Sequence, residues 1–191
     1  MSAAEADGPG AADERELKVM TPLPGAAPVI GSWLWGMEET RRGLLGSVRE
    51  LGQAELDWRG PNGVDNSIGS LLYHIALVEM DWLYFDLMLA QPPEDVRIRF
   101  PHEHRTPDGR LANVVGVPLD DHLDLLAFTR RRFLETIGPL SLEEWHRVRE
   151  PEGVDYAVTP AWTVFHLVEH EAGHLFEIRA IVRRWREASG A

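Results

Sequence analysis

Apolar side chains recur every three to four residues over four long stretches of the chain, which is the spacing of amphipathic α-helices. The first stretch starts at Pro28 and is ended by the turn sequence Arg59-Gly60-Pro61-Asn62-Gly63. We predict a long helix there, although several glycines weaken it locally. Its apolar positions are Ile30, Leu34, Met37, Leu44, Leu45, Val48 and Leu51.

Start and stop signals delimit three further long helices and one short helix. Asn66-Ser67 can cap the second helix, and Thr159 followed by Pro160 is the clearest start, for the fourth. The capping-box sequence Ser141-Leu142-Glu143-Glu144 predicts a short helix. The expected long helices cover residues 66–90, 118–137 and 159–185.

A long connection, residues 91–117, separates the second and third predicted helices. Val96, Ile98 and Phe100 alternate with polar residues, and Pro107-Asp108-Gly109 follows, so this pattern favours a short hairpin. Four long helices with one long connection predict an all-α four-helix bundle. Metal sites in such bundles are built from side chains on facing helices.

The length of 191 residues suits one domain. Residues 1–24 are rich in Ala, Gly, Asp, Glu and Pro, so we predict a flexible tail followed by a single bundle domain over 25–191. No apolar run approaches the roughly 18 residues that span a bilayer. Residues 1–12 lack both a basic start and an apolar stretch, so we expect no signal peptide and a cytoplasmic location.

The composition restricts the chemistry of any functional site. The chain has no cysteine, so imidazole or carboxylate groups must bind any metal ion, and any reactive thiol must come from a ligand. The formal net charge of −12 makes nucleic acid and membranes poor candidate partners. The basic cluster Arg130-Arg131-Arg132 lies in a helical pattern, where we expect a solvated face.

Three histidines form one stripe on the fourth predicted helix. His166, His170 and His174 are four residues apart, and with about 100° of rotation per residue they point the same way. Thr163 and Glu177 lie close to the same stripe. Two imidazoles at this spacing can bind one metal ion. The alternative is a set of hydrogen-bonded core histidines, and spacing alone does not decide between the two.

The second predicted helix offers a further ligand, His74, which lies among apolar residues. Asp81 is seven residues later on the same face, where its carboxylate could orient a neighbouring ligand. The sequence His170-Glu171-Ala172-Gly173-His174 matches the letters of the zinc-protease motif His-Glu-x-x-His. A five-letter match is weak, and we do not transfer the role of the protease glutamate to Glu171.

Two blocks of sequence resemble the DinB-like (YfiT-like) superfamily. The first is Leu56-Asp57-Trp58-Arg59-Gly60-Pro61 with Asn66-Ser67-Ile68-Gly69-Ser70-Leu71-Leu72-Tyr73-His74-Ile75-Ala76, which resembles the junction of that family's first and second helices. The second, His166-Leu167-Val168-Glu169-His170-Glu171-Ala172-Gly173-His174, resembles its fourth-helix motif. The resemblance covers roughly residues 28–187.

The resemblance implies a four-helix bundle, often a homodimer, that binds a divalent metal such as nickel, zinc or iron. Mapped onto this chain, the family's ligands are His74, His170 and His174, which leaves His166 as a structural or pocket residue. Family members often continue with Arg-Gly-Gln, whereas this chain has Leu175-Phe176-Glu177. Glu177 could orient a ligand, act as a further ligand or act as a general base. Glu177 and Asp81 are therefore the candidate catalytic residues.

Three neutral imidazoles leave a coordination position open, which favours chemistry over a purely structural site. An open position can activate water for hydrolysis or bind a thiolate. Because several members of the family that it resembles are thiol-dependent S-transferases, we expect a transferase that uses a low-molecular-weight thiol and a small-molecule ligand. The alternatives are a metal-dependent hydrolase and a non-catalytic metal-binding or stress-response protein.

Two further groups of side chains have simpler interpretations. His102 and His104 in the connection could form a second metal site if extended, but loop histidines are usually solvated. Four tryptophans are expected to anchor the core or a dimer interface in preference to forming a cofactor box. They are Trp33, Trp35, Trp82 and Trp162.

Overall fold

The computed structural model describes residues 15–107 and 109–190, and this part of the chain is helical. The prediction of an all-α four-helix bundle is confirmed. Most of the predicted tail, residues 1–14, lies outside the described residues. The long helices are α1 (Pro28–Val48), α3 (Ile68–Asp81), α5 (Leu119–Ile137) and α7 (Pro160–Ser189), and the short ones are α2 (Gln53–Leu56), α4 (Glu94–Arg97) and α6 (Leu142–His146).

Three predicted helix starts are confirmed by hydrogen bonds to the capping side chain. The hydroxyl of Ser67 accepts from the amide of Ser70 at 3.1 Å, which starts α3. Thr159 starts α7 in the same way, at 3.2 Å, and Ser141 starts α6, at 3.1 Å. Each cap satisfies an amide that has no partner inside its helix.

Two predictions about the first half of the chain are wrong. The first helix ends at Val48, and the separate turn α2 follows it. The alternation at Val96, Ile98 and Phe100 is not a strand, because residues 94–97 form α4, with acidic side chains in the first turn. Of the predicted hairpin, an antiparallel bridge between Arg105 and Leu111 is present, and Asp108 lies outside the described residues.

The bundle is held together by two long helix pairs. Helix α1 packs along α7, α3 packs along α5, and α3 also contacts α7. Trp145 of α6 is fully buried and joins the apolar core at one end of the bundle. Helix α3 continues as a π-helical segment, Trp82–Leu87. Within the described ranges, no helix combines the length and the apolar character needed to cross a bilayer.

Four buried charges, one from each long helix, meet inside the bundle. Arg41 of α1 binds Glu171 of α7 at 2.6 Å, and Arg130 of α5 binds Glu171 at 2.7 Å. Both arginines also contact Glu79 of α3. The prediction that Arg130 lies on a solvated face is wrong, because its side chain is buried. These two carboxylates compensate the cost of burying its charge.

Candidate metal centre

Three histidine side chains from α3 and α7 meet at one point. The Nε2 atom of His170 lies 3.2 Å from Nε2 of His74 and 3.1 Å from Nε2 of His174. All three residues offer nitrogen atoms within 4.8 Å of one another. His74 is buried and the other two are half-buried, so the cluster lies at the edge of the bundle with one side accessible.

These distances fit a shared metal ion better than hydrogen bonds between the rings. Nε2 of His170 has one in-plane site, occupied either by a proton or by a lone pair, so it makes one good hydrogen bond and cannot satisfy both neighbours. Two nitrogens bound to one metal ion at about 2.0–2.1 Å, with an angle between about 90° and 109° at the ion, lie about 2.8–3.4 Å apart. The observed spacings of 3.2 and 3.1 Å lie in that range.

The surroundings keep two of these imidazoles neutral, which is the form that binds metals. Burial, together with the neighbouring imidazoles of His170 and His174, lowers the pKa of His74 to about 3. Burial and the adjacent rings of His174 and His166 likewise lower the pKa of His170 to about 3. Their lone pairs are therefore available at neutral pH without the loss of a proton.

Glu177 contacts the far side of one member of the triad. Its Oε2 lies 3.0 Å from Nδ1 of His174, while Nε2 of the same ring faces His170. Asn66 donates to the other oxygen of Glu177 at 3.3 Å. This geometry suits an orienting carboxylate, the first of the three roles considered for Glu177. Asn66 was considered only as a helix cap, and nothing in the local sequence links it to Glu177.

His74 lacks such an orienting group. Its Nδ1 is buried and has no hydrogen-bond partner among the described residues. The ring contacts of His74 are with other imidazoles, those of His104, His170 and His174, at 5.0–5.2 Å between centroids.

Glu171, the glutamate of the His-Glu-x-x-His letters, points away from the triad. It is 3% exposed, and its carboxylate binds Arg41 and Arg130 inside the bundle. Residues i and i+1 of a helix are about 100° apart, so the neighbour of His170 faces the core. Glu171 is therefore not placed to play the role of the protease glutamate at the triad.

The second candidate carboxylate, Asp81, contacts a histidine outside the triad. Its Oδ2 lies 3.1 Å from Nε2 of His104, and the ring of His104 lies 5.2 Å from that of His74. The hydrogen bond that His104 donates to Asp81 raises the pKa of His104. His104 thus borders the triad, and its side chain is 43% exposed, as expected for a loop histidine. Its connection has no helical periodicity from which this position could be predicted.

His166 and the tryptophans lie beside the triad. The ring of His166 is 6.0 Å from that of His170 and stacks on Trp162. Trp82 packs against the core but stays half-buried, Trp35 is also half-buried, and Trp33 and Trp162 are exposed. The expectation that the tryptophans anchor the core is therefore met only in part, by Trp82, and a dimer interface stays a prediction.

Comparisons with known proteins agree with the fold. Residues 37–178 match the model of the DinB superfamily. The uncharacterized protein YkkA of Bacillus subtilis (strain 168) is 25% identical over 175 residues, covering 84% of this chain and 90% of YkkA.

A solved structure also has this architecture. It is that of YfiT from Bacillus subtilis, described as a probable metal-dependent hydrolase with an unusual four-helix bundle topology. It superposes with a TM-score of 0.60 at 17% identity, covering 86% of this chain and 93% of YfiT. The family match spans more than half of the chain and includes all three clustered histidines, and the chain belongs to the DinB superfamily.

Proposed function

We propose that His74, His170 and His174 bind one divalent metal ion through their Nε2 atoms and that the protein is a metal-dependent hydrolase. The convergence of the three nitrogens carries this proposal, because no arrangement of ring protons satisfies His170 toward both neighbours. The description of YfiT as a probable metal-dependent hydrolase supports the same class. Nickel, zinc and iron all suit a neutral three-imidazole site.

His74, His170 and His174 would hold the ion, which would supply Lewis acidity for activating water or polarising a carbonyl oxygen. The residues of the chain supply orientation. Glu177 accepts a hydrogen bond from Nδ1 of His174 and so keeps the proton off Nε2. Asn66 in turn holds Glu177 through its second oxygen.

His104 is the polar side chain best placed to bind a substrate beside the ion. It packs at 5.2 Å from His74 and is held at its Nε2 by Asp81. Its side chain is 43% exposed, so a ligand at the centre can reach it. In this proposal Asp81 orients His104, and His104 hydrogen-bonds the reacting group of the substrate.

The second candidate is transfer to a low-molecular-weight thiol such as bacillithiol or mycothiol. The observation that favours it is the lack of any cysteine in the chain, so a thiolate at the open position would have to belong to a co-substrate. The same three histidines and the same ion would serve both reactions.

One experiment separates these functions. Protein purified without an affinity tag is stripped of metal, reloaded separately with nickel, zinc or iron, and assayed on a panel of esters and amides. A parallel assay follows the consumption of small thiols with a chlorinated nitrobenzene as the electrophile. The proposal expects metal-dependent cleavage without thiol, abolished in His170→Ala and retained in His146→Ala, whose histidine lies on α6 away from the triad.

Metal-dependent thiol consumption without cleavage would replace the hydrolase by the transferase. Metal binding without activity in either assay would contradict both and leave a metal-binding role.

A further inference from the structure

A row of aromatic rings leads away from the histidine triad. His166 lies 6.0 Å from His170, and its ring is nearly parallel to that of Trp162, with 5.1 Å between centroids and 8° between planes. Trp82 lies on another side of His166, at 4.9 Å. Successive rings along this row are never more than 6.0 Å apart, so they form a continuous series of ring contacts that starts at the triad.

The row ends at a buried carboxylate. Trp82 lies 5.9 Å from Tyr156, whose hydroxyl donates to Oδ1 of Asp86 at 2.8 Å. Trp162 and Tyr156 are 46% and 43% exposed, whereas Asp86 is only 7% exposed. Large aromatic side chains at the surface beside a buried carboxylate are more typical of a binding site than of a core.

A cavity of about 380 Å³ opens at this end of the row. Its lining combines apolar side chains with three carboxylates, and none of its lining residues is basic. The neighbouring Arg149 pairs with Glu144 at 2.8 Å, so its guanidinium is already bound. The lining residues include Phe85, Asp86, Leu89, Glu150, Glu152 and Tyr156.

The backbone that forms one wall of this cavity is irregular. Trp82 and Asp86 belong to the π-helical segment, which ends with the amide of Met88 bonded to the carbonyl of Leu83 at 3.0 Å. Leu89 then adopts a φ of 52°, an unfavourable conformation for a residue with a side chain. π-Helical turns and left-handed residues occur frequently at functional sites. Here they place Asp86 and Leu89 in the cavity wall.

We propose that this cavity binds the protonated amine of an elongated substrate, whose apolar or aromatic middle lies along Trp82 and Trp162. Aromatic faces attract a cation, and the carboxylate of Asp86 provides the opposite charge. The net charge of −12 favours approach of a cation and disfavours an anion. The reacting group would then lie at the triad. That last step rests on the proposed function, whereas the binding of the amine does not.

The test uses 2-phenylethylamine and its neutral analogue 2-phenylethanol as probes. Calorimetry and tryptophan fluorescence measure binding to the metal-loaded protein. We expect the amine to bind at least tenfold more tightly than the alcohol. Asp86→Asn should lower the affinity for the amine about tenfold and leave the affinity for the alcohol unchanged. Tyr156→Leu should lower the affinity for both probes. Asp120→Asn removes the same charge from an exposed site at the start of α5 and should change neither.

Equal affinities for the two probes, or an amine affinity unchanged in both folded variants, would overturn the proposal. Tyr156 is exposed, so its variant keeps the test decisive if Asp86→Asn fails to fold. Binding of the amine should persist in the metal-free His170→Ala protein.

Hydrolysis is tested separately, with nitrophenyl esters of 6-aminohexanoate and hexanoate. We expect a KM at least tenfold lower for the amino ester. Amine binding without hydrolysis would contradict the proposed hydrolase function and leave the amine-binding site supported. Hydrolysis of both esters with equal KM values, together with equal affinities for the two probes, would contradict the amine-binding site and leave the hydrolase function supported.

Discussion

The carboxylate of Glu177 lies 3.0 Å from Nδ1 of His174, on the side of the ring opposite to the nitrogen that faces His170. This hydrogen bond fixes both the tautomer and the orientation of His174. The pKa of Glu177 is lowered, first by this hydrogen bond and further by the one from Asn66, so its carboxylate is ionised at neutral pH. Because it binds the far nitrogen, Glu177 orients His174 without occupying the side of the ring that faces His170.

Replacing Glu177 should therefore weaken metal binding without abolishing it. We expect Glu177→Ala to lower metal affinity about 10–100-fold, the usual effect of removing a carboxylate that orients a histidine ligand. Competition with a chromogenic chelator measures this affinity. Glu187→Gln, which removes an exposed charge from the same helix, is the matched control. An affinity equal to that of the wild type would show that Glu177 has no orienting role.

Replacing His104 should separate metal binding from activity. Its ring borders His74 but its Nε2 binds Asp81, so His104→Ala should keep the metal and lower kcat/KM about tenfold or more, as expected for the loss of a positioned hydrogen bond. Asp81→Asn should show a smaller loss in the same direction. Metal analysis and steady-state kinetics on the same preparations check both statements. Loss of the metal in His104→Ala would mean that His104 is itself a ligand.

Removing one of the four buried charges should strongly lower the free energy of unfolding. Glu79→Gln would leave Glu171 as the one buried carboxylate shared by Arg41 and Arg130, beside the partly exposed Glu38, and breaking a buried ion pair in this way costs about 3–5 kcal/mol. Chemical denaturation of the metal-free protein measures the free energy of unfolding. Glu135→Gln on the solvent side of α5 should change it by less than about 0.5 kcal/mol. A similar small change for Glu79→Gln would contradict this account.

The same cluster predicts how stability depends on pH. Burial alone would raise the pKa of Glu79, but Arg130 and Arg41 outweigh it and hold this pKa below its ordinary value of 4.5. Between the two pKa values the unfolded chain binds more protons than the folded protein. The stability that Glu79 contributes is therefore fully present above about pH 4.5 and is lost as the pH falls through the lower folded-state pKa. Unfolding free energies of wild type and Glu79→Gln should therefore converge below pH 4.5. A difference that stays constant from pH 7 to pH 3 would exclude this linkage.

Local signals in the sequence were sufficient for the starts of α3 and α7 and for the pairing of His170 with His174. The caps at Ser67 and Thr159 depend on neighbouring amides, and the stripe of His170 and His174 depends only on helix periodicity. The pairing of these two with His74 required either the bundle or the family resemblance, because the residues are about a hundred positions apart in the sequence.

Features that depend on distant contacts were not predictable in this way. Arg130 has the neighbours of a surface residue in the sequence, yet carboxylates from two other helices make its burial possible. The alternation at 96–100 resembles a strand, but a strand needs a partner, and the local acidic residues favour α4 instead. His104 reaches the centre through the course of an irregular connection, which periodicity does not describe.

Metal content of the protein and of its histidine variants tests the central claim most directly. Elemental analysis of protein purified without an affinity tag, after equilibration with one equivalent of zinc and desalting, should find about one ion per chain. His74→Ala, His170→Ala and His174→Ala should each lose it, whereas His166→Ala, whose ring stacks on Trp162 outside the triad, should retain it. Full occupancy in any of the three triad variants, or loss in His166→Ala alone, would contradict the assignment of the site.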